Sequence, residues 1–154
     1  MKRREFIKAG AGAFAIAAAG RVFGVAAPSE RVRVAIMGCH AKGRGFQVMQ
    51  RAAGTPGCEV AVVCDVDSRA REEAAAKILE LTGKKPDMAA DVRKVLERAD
   101  IDALICCAPD HWHAWAAVAA MKAGKAIYVE KPCTFCAAEC EVLERVQKET
   151  GIVF

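Results

Sequence analysis

Residues 102–132 read DALICCAPDHWHAWAAVAAMKAGKAIYVEKP, and the organisation of the whole chain follows from them. Positions 102–108 are a short apolar run closed by Pro109, the pattern of a parallel strand buried on both faces. Asp110, His111, Trp112 and His113 then lead into an alanine-rich helical segment that stops at Gly124, a residue suited to a helix C-terminus. Positions 126–129 form a second apolar strand, with Glu130, Lys131 and Pro132 at its carboxyl end. Two strands joined by a helix make a βαβ unit, and ligands bind at the carboxyl ends of such strands. The polar clusters PDHWH and EKP therefore fall on one sheet edge, where chemistry is expected.

Working backwards, residues 31–37 (RVRVAIM) read as the first strand. The turn Gly38-Cys39-His40-Ala41-Lys42-Gly43-Arg44-Gly45 follows and opens a helix running to about Ala53. This is the place and shape of a dinucleotide fingerprint: glycines bend the chain tightly, and the helix N-terminus presents free N–H groups to a pyrophosphate. Gly38 and Gly43 hold fingerprint positions, but His40 stands where the second glycine is expected. A Cβ there crowds the phosphates, although histidine tolerates positive φ better than most side chains. His40 is alternatively a pocket residue facing the ligand.

The second strand, 58–64, ends at Asp65, 22 positions after Gly43. An acidic side chain there accepts hydrogen bonds from the adenine ribose hydroxyls and repels a 2′-phosphate, which favours NAD over NADP. Arg69 nearby pulls the other way, and Asp67 and Ser68 are read as the cap of the next helix.

Taken together, the glycine turn, Pro109-Asp110-His111-Trp112-His113 and Glu130-Lys131-Pro132 resemble the Gfo/Idh/MocA family of nicotinamide-dependent sugar and polyol oxidoreductases. The resemblance covers residues 31–154 and implies a doubly wound parallel α/β domain, the Rossmann-like NAD(P)-binding half of such an enzyme. In that family the lysine of EKP sits at the nicotinamide and the substrate. The resemblance thus makes Lys131 the catalytic or substrate-orienting residue, with Glu130 at the nicotinamide ribose and Pro132 setting the backbone beside them. A lysine of tunable pKa suits this work, since hydride transfer to or from a carbinol requires a proton acceptor or donor beside the nicotinamide, and the ammonium can also polarise the hydroxyl. Pro109, Asp110 and His113 are expected to line the cofactor cleft, with His113 starting a helix and facing the nicotinamide side. The bland alternative for Lys131 is an ordinary surface lysine after a strand.

The family's second, mostly β domain, which supplies the substrate pocket and a further catalytic histidine, is not expected within this chain. The isolated piece is therefore expected to bind cofactor without turnover, and to form homo-oligomers when full length. Two other readings share the first domain. One is a glycoside hydrolase acting by transient oxidation with retained NAD; the other is a non-catalytic nucleotide-binding remnant, favoured by His40.

The chain has 154 residues and a formal charge of +4, but that excess sits at the start. Residues 1–27 hold five basic residues (Lys2, Arg3, Arg4, Lys8 and Arg21) against Glu5; without them eighteen basic residues face eighteen acidic ones. Nothing basic remains to argue for nucleic acid. Arg3-Arg4-Glu5-Phe6-Ile7-Lys8, an apolar run over 9–20 and the small residues Val25-Ala26-Ala27 resemble a twin-arginine signal peptide over 1–27. This implies passage through the twin-arginine export machinery to the periplasm. An uncleaved membrane anchor is the alternative, against which Arg21 and the shortness of the run both argue. That route carries folded proteins, which suits a domain that acquires a dinucleotide in the cytoplasm.

Helices are expected over 68–81, with Ala74, Ile78 and Leu81 on one face, over 91–99, and over 137–149 before Gly151; residues 152–154 begin another strand. His111 and His113 make a poor metal pair at the start of a helix, and no third ligand accompanies them. Cys133, Cys136 and Cys140 have the arithmetic of a thiolate site, but i, i+3, i+7 on a helix is also a buried-face pattern, and core cysteine is the expectation. Trp112 and Trp115, three apart, are expected to pack on neighbouring structure, one of them shielding the cleft.

Overall fold

A computed structural model describes residues 31–154; the expected export signal lies outside the described residues. Five strands, β1 (Val32–Met37), β2 (Cys58–Cys64), β3 (Asp87–Ala89), β4 (Ala103–Cys106) and β5 (Ala126–Val129), form one sheet in the order β3-β2-β1-β4-β5. Every neighbouring pair is parallel. The helices are α1 (Arg44–Ala53), α2 (Ser68–Thr82), α3 (Val92–Leu96), α4 (His113–Lys122) and α5 (Ala137–Thr150). The strand order reverses between β1 and β4, so their carboxyl ends diverge into the crevice where doubly wound sheets take ligands.

Because strand side chains alternate, the three inner strands β1, β2 and β4 feed two cores. Val34, Ile36, Val60 and Val63 pack with Met49 of α1 and Ala74 and Ile78 of α2. Ala35, Val62, Leu104 and Ile127 pack with Ala117 and Met121 of α4 and Leu143 and Val146 of α5. Burying each larger aliphatic side chain contributes about 1.5–3 kcal/mol, so both layers are needed to hold the edge that carries the site. Four of the five alanines of α4 (Ala114, Ala116, Ala117 and Ala120) are buried; their small side chains let the helix lie close to the sheet.

Helix ends follow local chemistry. Asp67 caps α2 by accepting the Arg69 N–H at 2.9 Å, and Gly83 ends the helix with φ +72°. Gly151 closes α5 in the same left-handed way. Three expectations are corrected. Leu81 is half exposed, bordering a crevice with the 54–57 turn rather than continuing the stripe of Ala74 and Ile78. Cys133, Cys136 and Cys140 are exposed free thiols, not core. The i, i+3, i+7 count assumed a helix from 133, whereas α5 begins at Ala137 with Cys136 as its extended N-cap. Residues 152–154 form no strand; Val153 makes a single ladder bond, accepting the Ile127 N–H at 3.0 Å.

Candidate functional site

The glycine turn is built by contact between strand ends. Gly38 has φ +82°, and a Cβ there would lie 2.6 Å from the Ala108 nitrogen, so β1 and β4 abut at the switch point. Gly45, in the first turn of α1, is buried; a Cβ on it would overlap the Gly38 carbonyl oxygen and sit 2.9 Å from the Cys107 Cβ. The close approach of helix to strand that the fingerprint requires is thus made by Gly45. A Cβ at Gly43 would meet only the His40 carbonyl, at 3.1 Å.

Gly43 caps α1 in extended conformation with no side-chain partner, and the first turn holds no acidic residue. The first N–H groups of this 10-residue helix are therefore left without a side-chain cap, which is the donor set a pyrophosphate needs. A nucleotide cofactor fits this cradle. His40 does not use positive φ: no described non-glycine residue does. Its side chain is exposed, and Nδ1 accepts the Lys42 N–H at 3.2 Å, bracing the turn from within.

Asp65 ends β2 and holds the turn across the crevice. Oδ2 accepts the Cys39 N–H at 2.9 Å, and Oδ1 accepts the Asp67 N–H at 3.1 Å. Arg69 is engaged by the Asp67 carboxylate through Nε and Nη2, at 3.2 and 3.0 Å. Arg71 donates from Nη1 to the Asp65 carbonyl at 2.6 Å. Burial, and then the Asp65 charge, push the Cys39 and Cys64 thiols up to about 12. Burial, and then Glu130, do the same for Cys107, also to about 12. None of the three is a thiolate near neutral pH, so the crevice offers no cysteine nucleophile.

Beyond β4 lies the EKP cluster. Glu130 is buried at the end of β5; its Oε1 accepts from Arg44 Nε at 3.2 Å and from the Tyr128 hydroxyl at 3.1 Å. Burial raises the Glu130 carboxyl, but the Tyr128 hydroxyl, Arg44 and the Lys131 N–H outweigh it and hold the group below the ordinary glutamate range. The Arg44–Glu130 ion pair therefore ties the glycine turn to the EKP loop. Lys131 is exposed, and among the described residues no hydrogen bond or ion pair engages its amine. The Lys131–Pro132 peptide is cis.

His113 starts α4, as expected, but its ring is buried, with both nitrogens on backbone carbonyls: Nδ1 to Pro132 at 2.6 Å and Nε2 to Ala108 at 2.8 Å. It joins the end of β4 to the EKP loop from behind. With both nitrogens so engaged, it forms no metal pair with His111. Asp110 accepts the His111 N–H at 2.9 Å and opens a 3-10 turn over Asp110–Trp112.

A cavity of about 550 Å³ gathers Gly38, Asp65 and Pro109 with Val66, Asp91, Arg93, Trp112 and Trp115. His40, Gly43, Glu130, Lys131 and Pro132 lie outside its lining, further along the same edge. Tyr128 escaped the sequence reading, and Arg44 and Gly45 entered it only as members of the turn, with no role of their own. For Gly45 a signal existed: the doublet Gly43-x-Gly45 places a second glycine inside the helix, where it costs stability unless something packs against it.

The family model described as an oxidoreductase family with an NAD-binding Rossmann fold, Gfo/Idh/MocA, matches residues 32–154. The chain belongs to this family. It is 32% identical over 136 residues to glycosyl hydrolase family 109 protein 1 of Shewanella sp. strain ANA-3, covering 82% of this chain and 29% of that protein. Among solved structures it is similar to an NAD-binding protein from Listeria innocua, with TM-score 0.70, 27% identity, and 80% and 34% of the two chains covered. A putative myo-inositol dehydrogenase from Sinorhizobium meliloti 1021 gives TM-score 0.66 at 27% identity, covering 79% and 34%. The chain thus spans about a third of the length of these relatives, and its residues 32–154 are the NAD-binding Rossmann part that the family model matches.

Proposed function

We propose that this Gfo/Idh/MocA chain is the cofactor-holding half of an NAD-dependent oxidoreductase acting on a sugar or polyol hydroxyl. The observation that carries the reading is the single carboxyl edge on which Gly38, Asp65 and Lys131 follow β1, β2 and β5 of one parallel sheet. When bound, NAD supplies the hydride acceptor. The open N–H groups of α1 hold the pyrophosphate, and the remaining lone pairs of Asp65 accept from the adenine ribose hydroxyls. A 2′-phosphate meets that carboxylate, while Arg69 is occupied by Asp67, which favours NAD. Glu130, fixed by Arg44 and Tyr128, orients the nicotinamide ribose, and Pro109 and Asp110 border the route between the two ends. The unengaged Lys131 amine polarises the substrate hydroxyl and accepts its proton. The test is calorimetric titration of the chain with NAD and NADP. Tighter binding of NAD supports the assignment, and equal or inverted affinities contradict it.

A second reading is supported by the name of the Shewanella relative: glycoside cleavage through transient oxidation, with NAD retained. The full protein would then release a hydrolysed sugar without net NADH, whereas a dehydrogenase accumulates NADH stoichiometrically. For residues 1–27 we propose twin-arginine export to the periplasm, testable by replacing Arg3 and Arg4 with lysine and following the protein in periplasmic fractions.

A further inference from the structure

Three thiols stand exposed around the start of α5. Cys133 directly follows Pro132, Cys136 is the extended N-cap of the helix, and Cys140 closes its first turn. The other five cysteines, Cys39, Cys58, Cys64, Cys106 and Cys107, are buried or half-buried, and burial pushes each of their thiols up. Free cysteine is ordinarily among the most buried residue types, so three uncovered thiols within eight residues are not there for packing. Among the described residues no three His, Cys, Asp or Glu side chains are grouped to hold a metal, so coordination does not account for them either.

The geometry selects one pair of the three. Residues 131–136 lie in no helix or strand, whereas Cys140 is fixed on α5. The Cys140 Sγ lies 3.2 Å from the Thr134 Oγ1, so the helix thiol already touches the neighbour of Cys133. Successive Cα atoms are about 3.8 Å apart, a distance that a local swing of an exposed, irregular stretch covers. The Phe135 N–H donates to Glu139 Oε2 at 2.7 Å and holds the same stretch against the same helical turn. Closing Cys136 onto Cys140 would instead bridge one turn of the helix itself. Cβ atoms at that spacing are about 5–6 Å apart, and a disulfide needs about 3.5–4.5 Å.

We propose that Cys133 and Cys140 form a reversible disulfide that clasps the EKP loop to α5. It forms by exchange with a small-molecule disulfide or a disulfide-carrying oxidoreductase. One cysteine attacks the donor disulfide, giving a mixed disulfide and releasing one donor thiol. The second cysteine then displaces the other half of the donor. The protein gives up two electrons and two protons, and the donor leaves as two thiols. The bond tethers the segment carrying Lys131 and Pro132, whose carbonyl already meets His113 Nδ1 at 2.6 Å.

The whole chain is equilibrated with oxidised glutathione, alkylated and mapped by peptide mass spectrometry. A Cys133–Cys140 bond is expected, with the rapidly reacting thiols of the native protein falling from three to one and returning on reduction with dithiothreitol. Peptides spanning 131–136 are expected to exchange their amide hydrogens more slowly in the oxidised form. Cys133→Ser and Cys140→Ser should each lose both effects, and Cys136→Ser should keep them. The wild-type map decides the case even where a variant folds poorly. A predominant bond to Cys136, mixed disulfides with glutathione alone, or a thiol count that stays at three overturns the pairing; unchanged amide exchange over 131–136 overturns the clasp. None of these outcomes bears on NAD binding, so the cofactor reading stands or falls separately.

Discussion

Replacing Gly45 with alanine tests how the glycine turn is built, because the added methyl has nowhere to go. It would overlap the Gly38 carbonyl oxygen and press within 2.9 Å of the Cys107 Cβ. Carbon atoms make favourable contact near 3.5–4.0 Å, and the principal obstacle here is backbone, so no rotamer change relieves it. Helix α1 must withdraw from β1, opening the layer of Val34, Ile36 and Met49. Overpacking that side chains can absorb costs about 1–3 kcal/mol, and a backbone clash lies at or above the top of that range. For a domain of this size, about 3 kcal/mol lowers the melting temperature by roughly 10 °C. Gly43→Ala is the control: its Cβ meets the His40 carbonyl at 3.1 Å, which a shift of a few tenths of an ångström in an exposed turn relieves. It should cost under about 1 kcal/mol. Urea unfolding of the three proteins, monitored by circular dichroism, gives both differences. Gly45→Ala within about 1 kcal/mol of the parent, or less destabilising than Gly43→Ala, would refute the packing argument.

Asp65→Ala removes the acceptor of the Cys39 and Asp67 N–H groups as well as the proposed ribose contact. It should lower stability by about 1–3 kcal/mol and erase discrimination between NAD and NADP; discrimination left intact contradicts the ribose assignment. His113→Leu removes the ring that stands within hydrogen-bond distance of the Ala108 and Pro132 carbonyls and should cost about 1–3 kcal/mol by urea unfolding, with a rise in the NAD dissociation constant; unchanged stability and affinity would show that the brace does nothing. The Arg98 hydrogen bond holds the Asp100 carboxyl down to about 2. A depressed carboxylate stabilises fully above its ordinary value of 3.8 and ceases to do so as pH falls through about 2. The stability gap between the parent and Asp100→Asn, under about 1 kcal/mol for so exposed a group, should therefore be open at pH 5 and closed below about pH 2, and a gap that widens with acid would reverse the sign.

Much of the fold was legible because its signals are local. The apolar runs at 58–64 and 126–129 coincide with β2 and β5, since strands that pack under helices are marked by short, mostly apolar stretches. Gly83 and Gly151 marked helix ends because left-handed backbone favours glycine. The chain's place in a doubly wound sheet followed from βαβ units whose polar ends fall on one edge. What escaped depended on distance in sequence. The Arg44–Glu130 pair joins residues 86 positions apart, and neither position carries a spacing rule that points to the other. His113 looked like a cleft residue because it sits in a polar cluster; only the fold shows two carbonyls waiting for its nitrogens. The three late cysteines were misplaced because a periodic count says nothing about where a helix begins. Gly45 is the intermediate case: it was visible, but its reason was not, since the obstacle is a carbonyl on another element.

The most direct test of the whole account is a map of backbone amide shifts in the isotopically labelled chain titrated with NAD. The account predicts that perturbed amides follow the carboxyl edge, at Gly38, Gly43–Gly45, Asp65, Trp112 and Lys131. Shifts gathered instead at the opposite end of the sheet, around the crevice formed by Thr55, Glu59, Leu81 and Lys84, would contradict it.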